Sequence, residues 1–326
     1  MASIRDVAKR ANVAACTVSR YLNETESVAP ETRKKIQSAI EELNYIPNEL
    51  ARGMFKQKSG IIAMLIPSIR HPYFSTLAHC IELKLYEKGY KLMLCSTDGQ
   101  IEKERDYINI LKSNLVDGVL MGVSDLEDSD YLKFGKPLVM LDYDIGKKIP
   151  IVVSDHKKGG ILAAEKFIAS GCKSVIHIGD KELSKVESYK CHKALEEVLG
   201  SEGIESRFIE IKWNEFDFDG YFNVARTILE EYPQIDGIMA ADIQATAFLK
   251  AAIEMGKKVP DDLAVVSYDG TYVANVNQIA MTSIVQNTED IGAKAVEVLL
   301  DLMDGGNLSK RKYVIDVNIK NGETTK

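Results

Sequence analysis

No apolar run in this sequence approaches the roughly 18–20 residues that a membrane-spanning helix requires; the longest, Ile61–Pro67, has the length of a strand. The N-terminal Met-Ala-Ser-Ile-Arg-Asp-Val lacks the apolar stretch of a secretory signal. The five cysteines, Cys16, Cys80, Cys95, Cys172 and Cys191, are scattered without a close pair. Neither a disulfide framework nor a structural zinc site is expected from them, and reduced thiols in a cytoplasmic protein are. No Gly-x-Gly-x-x-Gly follows a strand, and neither a Walker loop nor a Gly-x-Ser-x-Gly elbow occurs. The five histidines, His71, His79, His156, His177 and His192, show no metal-ligand spacing. The expectation is a protein with no metal, no cofactor and no catalytic centre. Repeats of solenoid period and low-complexity segments are missing too.

Basic charge is also scarce overall, with a net of −7 over 326 residues. Taken whole, that balance disfavours nucleic acid as a partner. The average hides a split. Residues 1–60 carry ten Lys/Arg against seven Asp/Glu, and the rest carry thirty-one against forty-one. A mildly basic end precedes an acidic remainder, so the two parts are expected to meet different partners. The length suits two or three domains, and 45% hydrophobic residues suffice for real cores.

In the basic end, Ile4, Val7, Ala8 and Ala11 have the spacing of one helix face, with Ser3 as N-cap and Asp6 in the first turn. Asn12 suits a tight left-handed turn. A second helix is expected from about Ala14 to Leu22, burying Val18 and Leu22. A third begins at Pro30 and runs to about Asn44, with Ile36, Ile40 and Leu43 on one face. Three short helices with a tight turn between the first two describe a helix-turn-helix module. A small three-helix bundle without a DNA role has the same pattern.

Residues rather than pattern separate the two. Ile4-Arg-Asp-Val-Ala-Lys-Arg-Ala11, Thr17-Val-Ser-Arg20, Glu31-Thr-Arg33 and Ala39-Ile-Glu-Glu-Leu-Asn-Tyr45-Ile-Pro-Asn48 closely resemble the N-terminal domain of the lactose repressor (LacI/GalR) family of bacterial transcription regulators. The resemblance implies that the second helix enters a DNA major groove, with Ala15, Cys16 and Arg20 at the base edges. Arg20 can grip guanine O6 and N7 together, although a phosphate contact is the alternative. Ala15 and Cys16 are small enough only to pack on a thymine methyl or to leave their base pairs weakly read. Thr17, Asn23, Thr32 and Tyr45 match phosphate-holding positions.

The segment from Pro47 to Ser59 can be a plain tether. Alternatively, Asn48 caps a short helix from Glu49 to about Phe55, with Leu50, Ala51 and Met54 on one face. Such a helix is too short to persist alone in water. The resemblance implies that it forms when paired with its twin in the minor groove, where an apolar side chain wedges into a base step. Met54 stands where the family usually has leucine.

From Gly60 onward, strands expected at Ile61–Ile66, Lys91–Ser96, Gly118–Val123, Leu138–Leu141, Ser174–Ile178, Gly237–Ala241 and Ala264–Ser267 alternate with amphipathic helices. This alternation predicts right-handed βαβ units and two parallel sheets, with a ligand cleft between their carboxyl ends. Val265-Val-Ser-Tyr-Asp-Gly270, Met281-Thr-Ser-Ile-Val-Gln286, Ile291-Gly292 and Gly322-Glu-Thr-Thr325 resemble the same family's effector domain, itself related to periplasmic sugar-binding proteins. The expected class is thus α/β: an all-α helix-turn-helix domain at 1–46, a hinge at 47–59, and a two-lobed, doubly wound effector and dimerisation domain at 60–326. By analogy, lobe 1 takes residues 60–156 and a return segment at 288–317. Lobe 2 takes 157–287 and the C-terminal tail.

Carried over by position, Tyr73 and Phe74 stack on a ligand ring, and Asp155, Asp242 and Asp269 accept bonds from its hydroxyls. Each aspartate has a helix cap as its alternative role. Trp213 or Phe216, the latter preferred, closes the other side of the site. Glu187 falls where many members carry a clamping arginine followed by Gly-Phe, so the usual clamp is missing or is rebuilt from Lys185 or Lys190. The reading is a cytoplasmic homodimeric repressor of a palindromic operator, controlled by a carbohydrate or related metabolite. No heptad pattern follows Thr325, which favours dimers over tetramers. Its rivals are a two-lobed binding protein or enzyme without a DNA role, and an activator or global regulator with a protein coeffector.

Overall fold

The computed structural model describes residues 2–23, 28–46, 58–112, 115–124, 126, 131, 134–146, 149–179, 186–211 and 217–326. It divides into two compact units, Met1–Gly60 and Ile61–Lys326.

The first unit holds helices α1 (Ile4–Ala11), α2 (Ala15–Leu22) and α3 (Pro30–Glu42). Ser3 and Asp6 form a reciprocal capping box at the start of α1, and these hydrogen bonds hold the Asp6 carboxyl below its ordinary range. Asn12 ends the helix in the left-handed conformation, at φ 54°. Pro30 opens α3. Val7, Val18 and Ile36, one from each helix, are fully buried against one another, while Leu22 is only half-buried.

The second unit contains two six-stranded sheets. The first forms from β1 (Ile61–Ile66), β2 (Lys91–Ser96), β3 (Gly118–Met121), β4 (Leu138–Leu141), β5 (Ile151–Ser154) and β11 (Lys312–Ile315). Its order is β11-β5-β4-β3-β1-β2, and every pairing is parallel. Helices α4 (Pro72–Glu87), α5 (Ile101–Leu111) and α10 (Thr288–Met303) cover it. The apolar runs of β3, β4 and β5 are buried along their whole length, as strands covered on both faces require.

The second sheet takes β6 (Ser174–Gly179), β7 (Glu205–Glu210), β8 (Gly237–Ala241), β9 (Ala264–Asp269), β10 (Thr282–Gln286) and β12 (Val317–Lys320), in the order β12-β10-β9-β8-β6-β7. Only β12 runs antiparallel to its neighbour. Helices α6 (His156–Ser170), α7 (Tyr189–Ser201), α8 (Phe218–Glu231) and α9 (Asp242–Glu254) flank it. At the start of α6, Gly159 and Gly160 permit close approach. A Cβ on Gly160 would meet the Cys191 carbonyl oxygen at 2.1 Å, and one on Gly159 would meet the Tyr268 hydroxyl at 2.7 Å.

The chain crosses between the sheets three times: from β5 to α6, from β10 to α10, and from β11 to β12. Two crossings are tied together where Ser154 Oγ donates to Gln286 Oε1 at 2.7 Å. Both lobes are therefore discontinuous in sequence, and the crossings lie at the carboxyl ends of β5 and β10. That is where a doubly wound fold places its ligands.

Candidate functional site

In the first unit, α2 presents Ala15, Cys16 and Arg20 as exposed side chains. Cys16 and Arg20 are four residues apart and share a side of the helix. Of the expected phosphate-holding residues, Thr17, Thr32 and Tyr45 are half-buried, and the Tyr45 ring leans on the helical core. The Asn23 side chain reaches the Ser19 hydroxyl at 3.5 Å. Leu50, Ala51 and Met54 lie outside the described residues, as do Lys185, Trp213 and Phe216.

In the second unit, a cavity of about 170 Å³ opens where the strands of both sheets end. Apolar and aromatic surfaces dominate its wall. Phe74 sits edge-on to both His71 and Tyr73, with centroids 5.5 and 5.3 Å away. All three line the cavity. Pro72 starts α4 at the first helical position, which fixes how this aromatic turn enters the helix. Burial lowers the pKa of His71 to about 4, so the ring is neutral.

Asp269 also lines the cavity, at the end of β9. Its φ of 111° is a strained conformation for a residue with a side chain. The next two residues are pinned by Asp242. Its carboxylate accepts from the backbone N–H of Thr271 at 2.6 Å, the Thr271 hydroxyl at 2.7 Å and the backbone N–H of Gly270 at 3.4 Å. Gln286 holds the Asp269 side chain itself, donating from Nε2 to Oδ1 at 2.8 Å. Burial pushes the carboxyls of both Asp242 and Asp269 above their ordinary range.

Three residues expected in the site stand outside its wall. Asp242 is buried and spends its lone pairs on the loop after β9, so it positions Asp269 and does not face the cavity. Asp155 is the N-cap of α6, accepting from the Lys158 backbone N–H at 3.0 Å. Glu187 turns away toward two lysines, pairing with Lys190 at 2.5 Å and with Lys312 of β11. Burial works to raise its pKa, but these two partners outweigh it and hold the carboxyl below the ordinary range. Lys190 is likewise engaged by Glu187 and rebuilds no clamp in the cavity.

Nothing in the sequence pattern marks Asp142, Gln286 and His192 as site residues. All three line the cavity, and the first two stand at strand carboxyl ends. Asp142 follows β4. Its Oδ2 is 2.7 Å from His156 Nε2, while its buried Oδ1 meets no hydrogen-bond partner among the described residues. Cys191 is buried in the wall as well, and burial raises its pKa, which keeps it an unreactive thiol. Among the described residues no lysine or arginine lines the cavity, and no cluster of His, Cys, Asp and Glu is arranged to hold a metal. No described helix is long and apolar enough to cross a membrane.

A helix-turn-helix unit on the same chain as a two-lobed, ligand-sized receptor defines a class: DNA-binding regulators with a built-in small-molecule receptor. Comparison with known proteins specifies it. Residues 3–48 match the model for bacterial regulatory proteins of the lacI family, and residues 164–325 match that for a periplasmic binding protein-like domain. The ribose operon repressor of Halalkalibacterium halodurans is 37% identical over 328 residues, covering 100% of this chain and 98% of that protein. The sucrose operon repressor of Streptococcus mutans is 31% identical, covering 99% of each. In fold, the chain resembles the Lac repressor dimer bound to operator and the anti-inducer ONPF, with a TM-score of 0.84 at 24% identity over 99% of this chain and 98% of that one. The chain belongs to the lacI family of bacterial regulatory proteins.

Proposed function

We propose that this protein is a cytoplasmic repressor of transcription that binds a palindromic operator as a homodimer. Its affinity for DNA is set by a small, neutral, polyhydroxylated ligand held between the lobes. The observation that carries the ligand class is the polar inventory of the cavity. Asp142 Oδ1 is a buried acceptor awaiting a donor, Asp269 adds a second carboxyl group, and the described wall holds no cationic side chain. Sugar hydroxyls donate to such groups, whereas a phosphate or carboxylate would meet unfavourable charge. A volume of about 170 Å³ lies below the roughly 300–1,000 Å³ of drug-sized sites. It suits one ring stacked on Phe74.

DNA recognition rests on α2. Arg20 reads a guanine, Ala15 and Cys16 lie over neighbouring base pairs, and Thr17, Asn23, Thr32 and Tyr45 hold phosphates. In the hinge, Leu50 and Ala51 support the wedge residue Met54 in the minor groove. Dimerisation has support in exposed apolar side chains around the edge strand β2: Leu94 on the strand, Leu83 and Tyr86 on α4, and Ile110 on α5. The ligand must favour one lobe arrangement over the other to change DNA affinity. Isothermal titration of the full chain with D-ribose, sucrose and their phosphates, followed by DNA-binding anisotropy with each sugar that binds, tests this. Tight binding of a sugar phosphate in preference to the free sugar would contradict the ligand class.

A further inference from the structure

His192 of the cavity wall stacks on His177 behind it, with ring centroids 5.1 Å apart. His177 lies in β6 and is fully buried, and His192 lies one turn into α7. Their Nδ1 atoms are 3.0 Å apart. Burial lowers His177 to about 4, and burial together with its neighbours His177 and His156 lowers His192 to about 3, so both rings are neutral. A neutral imidazole carries one proton, so one Nδ1 donates and the other accepts.

The outer edge of the pair breaks the tie. Nε2 of His177 is 3.2 Å from Oε1 of Glu196, on the next turn of α7. The approach is too oblique for a full hydrogen bond. A carboxylate at that distance nevertheless favours a proton over a lone pair on the facing nitrogen. With its single proton on Nε2, His177 must accept at Nδ1. His192 must then donate from Nδ1, which leaves its Nε2 as a bare lone pair. His192 is part of the cavity wall and Gly179 is beside it. Gly179 packs closely there, since a Cβ on it would lie 2.6 Å from His192 Nε2, and that nitrogen is not among the fully buried polar atoms without a partner.

We propose that His192 Nε2 is an obligate hydrogen-bond acceptor for a ligand hydroxyl, and that Glu196, which does not touch the ligand, sets this tautomer through His177. The proposal rests on the sugar reading of the cavity. It adds a discriminating contact near the position where the family's arginine donor is absent. With Asp142 Oδ1 from the other lobe the site then offers acceptors from both lobes, so it selects ligands by the hydroxyls they can donate.

The tautomers can be read without any ligand. Long-range proton–nitrogen NMR correlation on the full chain labelled with ¹⁵N-histidine, assigned with His177→Gln and His192→Gln, should show His192 protonated at Nδ1 and His177 at Nε2. In Glu196→Lys a donor replaces the acceptor and both assignments should invert. A wild-type His192 protonated at Nε2, or no inversion in the variant, overturns the proposal. For any sugar among D-ribose, D-xylose and sucrose that binds the wild type in calorimetry, His192→Leu should weaken binding about tenfold and Glu196→Lys about fivefold. Unchanged affinity in both variants overturns the contact. Failure of every sugar to bind the wild type counts against the sugar reading of the cavity instead, and the spectra still decide the state of His192.

Discussion

His156 Nε2 lies 2.7 Å from Asp142 Oδ2, and the other nitrogen of the same ring lies 2.7 Å from the Tyr268 hydroxyl. A carboxylate can only accept, so Nε2 donates to it and Nδ1 accepts from the tyrosine. Asp142 follows β4 of the first sheet and Tyr268 belongs to β9 of the second. One buried imidazole at a crossing therefore couples the two lobes at the edge of the cavity. His156→Ala strands the buried Tyr268 hydroxyl and the half-buried Asp142 carboxylate, at about 1–3 kcal/mol each. Tyr268→Phe removes one hydroxyl and should cost about 1 kcal/mol. Urea unfolding of the second unit's transition should rank the variants in that order. Equal stabilities for wild type and His156→Ala would show that the coupling is not structural.

Asp242 and Asp269 are both buried carboxyl groups, yet they are assigned different work, and substitution separates them. Asp242→Ala frees the Thr271 turn and should lower both stability and sugar affinity. Asp269→Asn keeps an acceptor for Gln286 and removes a group whose ionised form is disfavoured by burial. A carboxyl with a raised folded-state pKa contributes stability only while protonated. That contribution is full below the ordinary value of about 4 and is lost as pH rises through the folded value. Asp269→Asn should therefore gain stability over the wild type as pH rises from 4 to 7, while losing sugar affinity. A stability difference that stays constant with pH would contradict this.

The ion pair between Glu187 and Lys312 joins the segment before α7 to the edge strand of the other sheet. Glu187 is buried while its two lysine partners reach solvent, so removing the carboxylate leaves no buried charge unpaired. Glu187→Ala should change apparent sugar affinity by no more than about fivefold, through the balance between lobe arrangements rather than through contact. Tight sugar binding abolished by Glu187→Ala would instead return this residue to the site.

On DNA, Arg20→Ala should cost about 1–3 kcal/mol of operator binding and relax specificity at one base pair in each half-site. Thr17→Ala should weaken all sequences more evenly. Met54→Ala should weaken operator binding more than it changes stability. Anisotropy at fixed salt checks all three, and an unchanged base preference in Arg20→Ala would show that its contact is to phosphate.

Much of this was legible in the residues. The capping box at Ser3, the left-handed Asn12 and the Pro30 start mark the first unit directly, because helix ends depend on local chemistry. The fully buried strands β3 and β4 are equally plain, since continuous apolar runs mean cover on both faces. β7 has no strand signal in the sequence because it is an edge strand whose Glu-Ser-Arg-Phe-Ile-Glu is rich in polar residues and only partly buried. β5 is only four residues long, and β12 follows β11 after a single residue. Tyr73, Phe74 and Asp269, marked by resemblance and by their place after strands, line the cavity. Asp155 caps a helix, Asp242 pins the loop after β9 and Glu187 pairs with two lysines, roles that sequence position alone does not separate from facing a ligand. The partners that separate them, Lys158, Thr271 and Lys312, are distant or ambiguous in sequence. His192 gave no signal, because its partner His177 comes from another element.

The most direct test is selection of random duplex DNA by the full chain. The account predicts enrichment of a twofold-symmetric sequence whose half-sites each lose one conserved base pair when selection is repeated with Arg20→Ala, and whose binding responds to a sugar that occupies the cavity. Enrichment of no sequence, or of one without symmetry, would contradict it.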